Sequence, residues 1–206
     1  MNRYQPSPGA VEFKPVTLTG DLVRLEPLTL DHHDDLVAAV KDGELWKLWF
    51  TFPPEPENVR GEIERRLGLQ AAGSMIPFAV IDLGSGRAVG MTTYMNIQSA
   101  HRRVEIGSTW YAKSVQRTGI NTEAKLLLLT HAFEALDCIA VEFQVHSMNQ
   151  PSRRAVERLG AKLDGVIRNH SFTRNGALRD MCVYSILPSE WPTVKANLQW
   201  LLTKPR

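Results

Sequence analysis

Cysteine is scarce in this chain. There are two, Cys138 and Cys182, neither lies in a CxxC pair, and no histidines cluster beside them. A metal site is therefore not expected, and both thiols, set in apolar runs, read as buried free cysteines. No apolar run approaches the roughly 20 residues that a membrane-spanning helix needs. Residues 1–10 lack the apolar core of a signal peptide. No membrane contact and a cytoplasmic location are the expectation. Charge of one sign is missing too: 24 Lys and Arg face 22 Asp and Glu, a net +2 with no dense basic block. Nucleic acid is therefore not an expected partner. There is no internal repeat and no low-complexity segment. What remains is 206 residues of ordinary composition, 43% hydrophobic and 22% charged, enough for one domain with a sizeable core.

Hydrophobic periodicity supplies the elements. Residues 1–15 carry three prolines and a glycine and read as a loosely held, flexible arm; residues 16–206 read as a single domain. Val16 to Leu28 alternates like a hairpin-like first strand with a turn at Thr19-Gly20-Asp21. Thr29 or Asp31 can cap a helix to about Lys41. Aromatic residues then crowd Leu45 to Phe52, prolines follow, and a helix is expected from about Glu57 to Ala72, stopped by Gly73. Ile76–Leu83, Ala88–Ile97 and Arg103–Tyr111 read as three strands of an antiparallel meander. Thr122–Leu136 reads as a helix apolar on more than one side. Then come a strand, Ala140–His146, a helix, Ser152–Leu159, ended by Gly160, and a hairpin, Leu163–Phe172 with Leu178–Leu187, around Asn175-Gly176. Ser189 can cap a last helix, 189–202. One strand–helix–strand crossover among many strands makes an α/β (α+β-like) mixed sheet. A doubly wound dinucleotide-binding sheet would alternate throughout and place an acidic residue after the next strand, and neither is found.

The central unit, strand 103–111, loop 112–121 and helix, carries the first chemical signal. A loop entering a helix exposes unpaired N–H groups at the positive end of the helix dipole, which suits a pyrophosphate. Gly119 permits close backbone approach and unusual dihedrals, and Arg117 adds a fixed charge. A plain strand-to-helix turn with one glycine is the alternative. Asn149, at the C-terminal end of strand 140–146, is placed where ligands of open sheets gather; it could equally cap the next helix.

Gln116-x-x-Gly119-x-Asn121 before an apolar helix resembles the acetyl-CoA signature of the GNAT N-acetyltransferases. Glu105-Ile106-Gly107, Asn149-x-x-Ser152 running to Leu159-Gly160-Ala161, and the opening Leu22-Val23-Arg24-Leu25-Glu26-Pro27-Leu28 are similar to the branch that acetylates ribosomal-protein N-termini. The resemblance spans about residues 16–187. It implies a GNAT fold: a central, mostly antiparallel mixed sheet of about seven strands, splayed in a V and flanked by helices. It implies an enzyme that transfers acetyl from acetyl-CoA directly to a primary amine, with acetyl-pantetheine between strands 103–111 and 140–146. Tyr111, Gln116, Arg117, Thr118, Gly119, Ile120, Asn121, Thr122, Asn149, Ser152 and Arg153 are the cofactor-binding candidates. Asn149 would orient the pantetheine arm. Arg153 and Arg154 would meet the 3′-phosphate or face solvent. Three positions differ from the family pattern. Asn121 replaces a Gly or Ala. The interval from Glu105 to Gln116 is one residue longer, which a β-bulge near Ser108 would absorb. Val156 stands where relatives carry the tyrosine that protonates the thiolate.

An amine must lose a proton to attack a thioester. Glu105 is the candidate base, on a strand face expected to include Gly107 and Thr109, with His101 and His146 in reserve. Backbone N–H groups where a bulge breaks pairing near Tyr111 would meet the developing oxyanion. Ser152 or a water would replace the missing tyrosine as acid. Trp46, Trp49, Phe50 and Phe52 fit a core, but lie where the family covers its acceptor, so they are also substrate-pocket candidates. The acceptor would be a peptide N-terminus, an amino acid or a small amine. The alternative is a non-catalytic acyl-CoA sensor or structural module on the same fold. An exposed sheet edge and the Trp191/Trp200 helix could pair two copies as a homodimer.

Overall fold

The computed structural model describes residues 9–204. Most of the proposed arm, residues 1–8, and the last two residues of the proposed domain lie outside the described residues. Within 9–15, Phe13 meets the Tyr94 ring edge-on at 6.1 Å. Eight strands form one sheet in the order β1-β2-β3-β4-β5-β6-β8-β7: β1 (Leu18–Thr19), β2 (Val23–Pro27), β3 (Met75–Asp82), β4 (Arg87–Gln98), β5 (Arg103–Tyr111), β6 (Ala140–His146), β7 (Lys162–Phe172) and β8 (Leu178–Ile186). Five helices flank it: α1 (His33–Lys41), α2 (Val59–Ala71), α3 (Ile120–Thr130), α4 (Gln150–Leu159) and α5 (Trp191–Thr203).

Helices α1 and α2 bury Leu36, Val40, Val59 and Ile63 against Ala79, Ile81, Met91 and Trp110 on one face of the sheet. On the other face α3 and α5 bury Ala124, Leu128, Leu129, Val194 and Leu198 against Phe78, Tyr94, Ile106 and Phe143. Lying between the sheet and α5, α3 has its apolar run Leu126–Leu129 spread over more than one side. Every neighbouring strand pair is antiparallel except β5 and β6. That parallel pair is short: Arg103, Val104 and Glu105 meet Ala140, Val141 and Glu142, and beyond Glu105 the two strands part. The opening of the sheet therefore lies beside Glu105.

The sheet has eight strands, in keeping with the expected count of about seven; the expected turn at Gly20, closed by Gly20 N–H to Val23 O, separates a short β1 from β2. Several expectations are corrected in detail. Helix α3 starts at Ile120, two residues before the expected Thr122, and ends in a π turn, His131–Ala135, in which Leu136 N–H reaches back to His131 O. Ser189 does not cap α5; Glu190 is the cap residue, and its carboxylate accepts from Leu187 N–H at 3.0 Å. Thr29 caps the entry to α1, its hydroxyl accepting from Asp31 N–H. Gly160, at φ +102, closes α4 in the left-handed region that favours glycine. Both cysteines are buried and free.

Candidate active site

The bulge expected near Ser108 is present. Met91 pairs with Trp110 and Thr93 with Gly107, so β5 spends one extra residue there, and Ser108 takes φ +47. The extra residue reverses the alternation. Glu105 and Gly107 share the α2 face, but Thr109 turns to the α3 face, against the simple period-2 expectation. Tyr111 pairs normally with Gly90, so the break in pairing lies at Ser108–Thr109 and not near Tyr111.

Two buried cations hold this bulge from opposite faces. Arg66 of α2 is 3% exposed; it donates to Ser108 O at 3.0 Å, to Thr93 Oγ1 at 2.6 Å and to Glu62 at 2.7 Å. Lys125 of α3 donates to Thr109 Oγ1 at 3.0 Å and Thr92 Oγ1 at 3.1 Å. It meets no carboxylate among the described residues, and burial pushes its amine down to about 7. Neither residue was singled out from the sequence. For Lys125 a signal existed: an isolated charge inside the apolar run of α3. For Arg66 there was none, because its partners lie on other elements.

Glu105 sits where β5 and β6 part. It is 5% exposed, and its carboxylate accepts from Asn96 Nδ2 at 2.6 Å. Burial raises its carboxyl to about 7; the Asn96 bond opposes this and the nearby Glu142 carboxylate adds to it. Gly107 makes the space, since a Cβ there would lie 2.7 Å from Glu105 Oε1. A cavity of about 10 Å³ borders Asn96, Glu105 and Glu142, room for about one water.

At the cofactor candidates, the first helical bond of α3 runs from Glu123 N–H to Gly119 O. The amides of Asn121 and Thr122 ahead of it have no acceptor within the helix. The strained residue of the loop is Arg117, at φ +62; Gly119 itself has ordinary right-handed helical dihedrals, φ −72 and ψ −19. Gln116 Nε2 ties the loop to Tyr111 O at 3.0 Å, and Thr118 Oγ1 donates to Val115 O at 2.6 Å. Ile120 is buried behind the loop. Arg117 is exposed and makes no ion pair among the described residues. Arg158 of α4, not singled out from sequence, reaches Thr122 Oγ1 at 3.4 Å.

Asn149 caps α4, its Oδ1 accepting from Ser152 N–H at 3.2 Å, which leaves its amide nitrogen for another partner. Arg153 is tied to Tyr184 OH at 3.0 Å, whereas Arg154 is exposed. Val156 is buried in the α3-side core. The Tyr111 hydroxyl is buried without a partner among the described residues.

The aromatic segment divides. Trp46 packs against the α1/α2 core. Trp49 meets Phe50 at 5.6 Å and the His146 ring edge-on at 5.4 Å. Phe52 borders a surface cavity of about 430 Å³ that also touches Glu55, Glu62 and Arg174. Of the reserve histidines, His101 is exposed in the turn before β5. His146 is 3% exposed and ends β6 beside the opening.

Comparison with known proteins fits this geometry. The family described as "Acetyltransferase (GNAT) domain" matches residues 23–162. The "Putative ribosomal N-acetyltransferase YdaF" of Bacillus subtilis is 36% identical over 109 residues, covering 53% of this chain and 58% of that protein, so the match spans little more than half of the curated relative. A GCN5-related N-acetyltransferase from Brucella melitensis superposes with a TM-score of 0.84 at 31% identity, over 98% of this chain and 91% of that one. An acetyltransferase structure from T. thermophilus gives 0.81 at 35% identity, over 92% and 98%.

Proposed function

Given that the chain belongs to the GNAT acetyltransferase family and is an acyltransferase, we propose that it moves acetyl from acetyl-CoA directly to a primary amine, with Glu105 as the base. The single observation that carries this reading is the state of Glu105. A carboxylate normally titrates too low to take a proton from an ammonium group at neutral pH. Here burial at the parting of β5 and β6 brings it to about 7, near the optimum for a general base in neutral solution. The proton leaves the amine directly or through the water-sized cavity beside Asn96.

The family uses acetyl-CoA, and the residues here fit that donor. The free amides of the first α3 turn and the Arg117 guanidinium suit its pyrophosphate, with Gln116, Thr118, Gly119, Ile120, Asn121 and Thr122 forming the rest of the cradle. Asn149 Nδ2 is free to hold the pantetheine amide, and Arg153 and Ser152 flank it. The backbone at the Ser108–Thr109 bulge, released from β4, would meet negative charge developing on the thioester oxygen. Ser152 or a water returns a proton to the departing thiolate. Trp49 and Phe50 would border the acceptor. A peptide N-terminus is one acceptor class, in keeping with the name of the B. subtilis relative; free amino acids and small amines are the others.

The test is thiol release from acetyl-CoA with a panel of these amines. Turnover in the wild type, lost in Glu105→Gln with acetyl-CoA binding intact, is the expected result. Binding without turnover across the panel would replace the enzyme reading with a sensor.

A further inference from the structure

His146 and Arg179 lie on the sheet face that carries Glu105. His146 pairs directly with Met181 of β8, and Arg179 lies two residues before Met181 on the same face. His146 Nδ1 accepts from Met148 N–H at 3.1 Å, which places the ring proton on Nε2. That Nε2 is buried and has no partner among the described residues. Among the described residues Arg179 Nε is likewise buried without a partner, and its guanidinium makes one polar contact, to Met181 Sδ at 3.8 Å.

Three other arginines with little exposure or partial burial have carboxylates, Glu62 for Arg66, Asp137 for Arg102 and Glu142 for Arg103, while Arg153 gives its N–H groups to Tyr184 OH and Ser147 O. Arg179 and Arg174 have no carboxylate within 4 Å among the described residues. Instead both guanidinium groups lie over the Phe52 ring, at 5.2 and 5.4 Å from its centre, and Arg174 spends one N–H on Pro53 O. Of the acids beside Phe52, Glu62 is already shared between Arg65 and Arg66, and Glu55 is exposed. A buried donor left unmatched keeps the full cost of its desolvation, and more when it is charged. Two of them, on the face of the proposed base and under the exposed rings of Trp49 and Phe52, form an anion-binding corner.

Resting on the acetyl-transfer reading above, we propose that the acceptor carries a carboxylate near its amine, received by Arg179 and His146 with Arg174 beside them. An amino acid, or a short peptide whose carboxylate stands near its N-terminus, has this chemistry: the amine goes to Glu105 and the carboxylate to the guanidinium and the imidazole N–H. A fixed guanidinium fork suits a carboxylate geometrically.

Matched acceptors test this on the full chain: amino acids and dipeptides against the same compounds as C-terminal amides, with kcat and KM from thiol release. The acids are expected to exceed their amides at least tenfold in kcat/KM. Arg179→Gln should erase that preference through the acceptor KM, Arg179→Lys should restore part of it, and the acetyl-CoA KM should stay unchanged in both. Amides used as well as acids would overturn the proposal. So would an Arg179→Gln effect confined to acetyl-CoA, which would make this corner a phosphate contact of the donor. Calorimetric titration with N-acetyl amino acids and their amides reads the same preference without chemistry. If no amine is turned over yet only the acids bind, the catalytic reading fails and the anion site stands. If neither or both bind equally, the anion site fails.

Discussion

Replacing Glu105 by Gln separates the proposed role of this residue from its structural cost. The carboxyl titrates near 7 in the folded protein against an ordinary value of 4.5. Between those values the unfolded chain is ionised while the folded chain keeps its proton, so wild-type stability is full below about 4.5 and falls as pH rises through 7. At about 1.4 kcal/mol per pH unit, that interval amounts to about 3 kcal/mol lost by pH 8. Glutamine carries no charge and still offers an oxygen to Asn96 Nδ2. Glu105→Gln should therefore be more stable than the wild type at pH 8, by up to about 3 kcal/mol, and equal to it near pH 4.5. Its kcat/KM should drop about 10²–10⁴-fold, while that of the wild type rises with pH and levels off above about 7. Urea denaturation at the two pH values, alongside thiol-release kinetics, measures both. A stability difference that does not change with pH, or turnover that survives the substitution, would refute the reasoning.

Lys125→Met should also stabilise, with a different pH signature. Burial lowers the amine from 10.5 to about 7, so wild-type stability climbs between those values; the variant should melt higher at pH 7, by up to about 4 kcal/mol in equivalent free energy, with the gap closing toward pH 10. A constant or reversed gap would contradict an unpaired buried amine. Arg117→Ala should raise the acetyl-CoA KM about tenfold, the weight of one charge-assisted contact, leave kcat near its wild-type value, and weaken the salt dependence of KM; an unchanged KM removes Arg117 from the cradle. Gly90→Ala places a Cβ 2.2 Å from Trp110 O, which β4 and β5 can relieve only by separating, so denaturation should show a loss of about 3 kcal/mol or more.

What was legible in the sequence followed from how local each feature is. Strands β5 and β6 carry their ends in their own hydrophobic pattern, and the expected bounds, Arg103–Tyr111 and Ala140–His146, coincide with the observed ones. The bulge was legible as a length, because the interval from Glu105 to Gln116 is one residue longer than in the family pattern it resembles. Its consequence was not: reversing the alternation sends Thr109 to Lys125 and away from Glu105, and a period-2 reading has no means of counting past a bulge. Gly119 is the residue that the sequence suggests for unusual dihedrals, yet the left-handed conformation falls on Arg117 and Gly119 is already helical. The reserve histidines illustrate the same limit. His101 and His146 are equivalent as sequence, but β8 pairing and the Trp49 ring bury only His146. The anion-binding corner is further from view still, since its members come from the 49–52 segment, the end of β6 and the start of β8. What marks it is that, among the described residues, no carboxylate lies within 4 Å of Arg174 or Arg179, and a missing neighbour can be read only once the chain has folded.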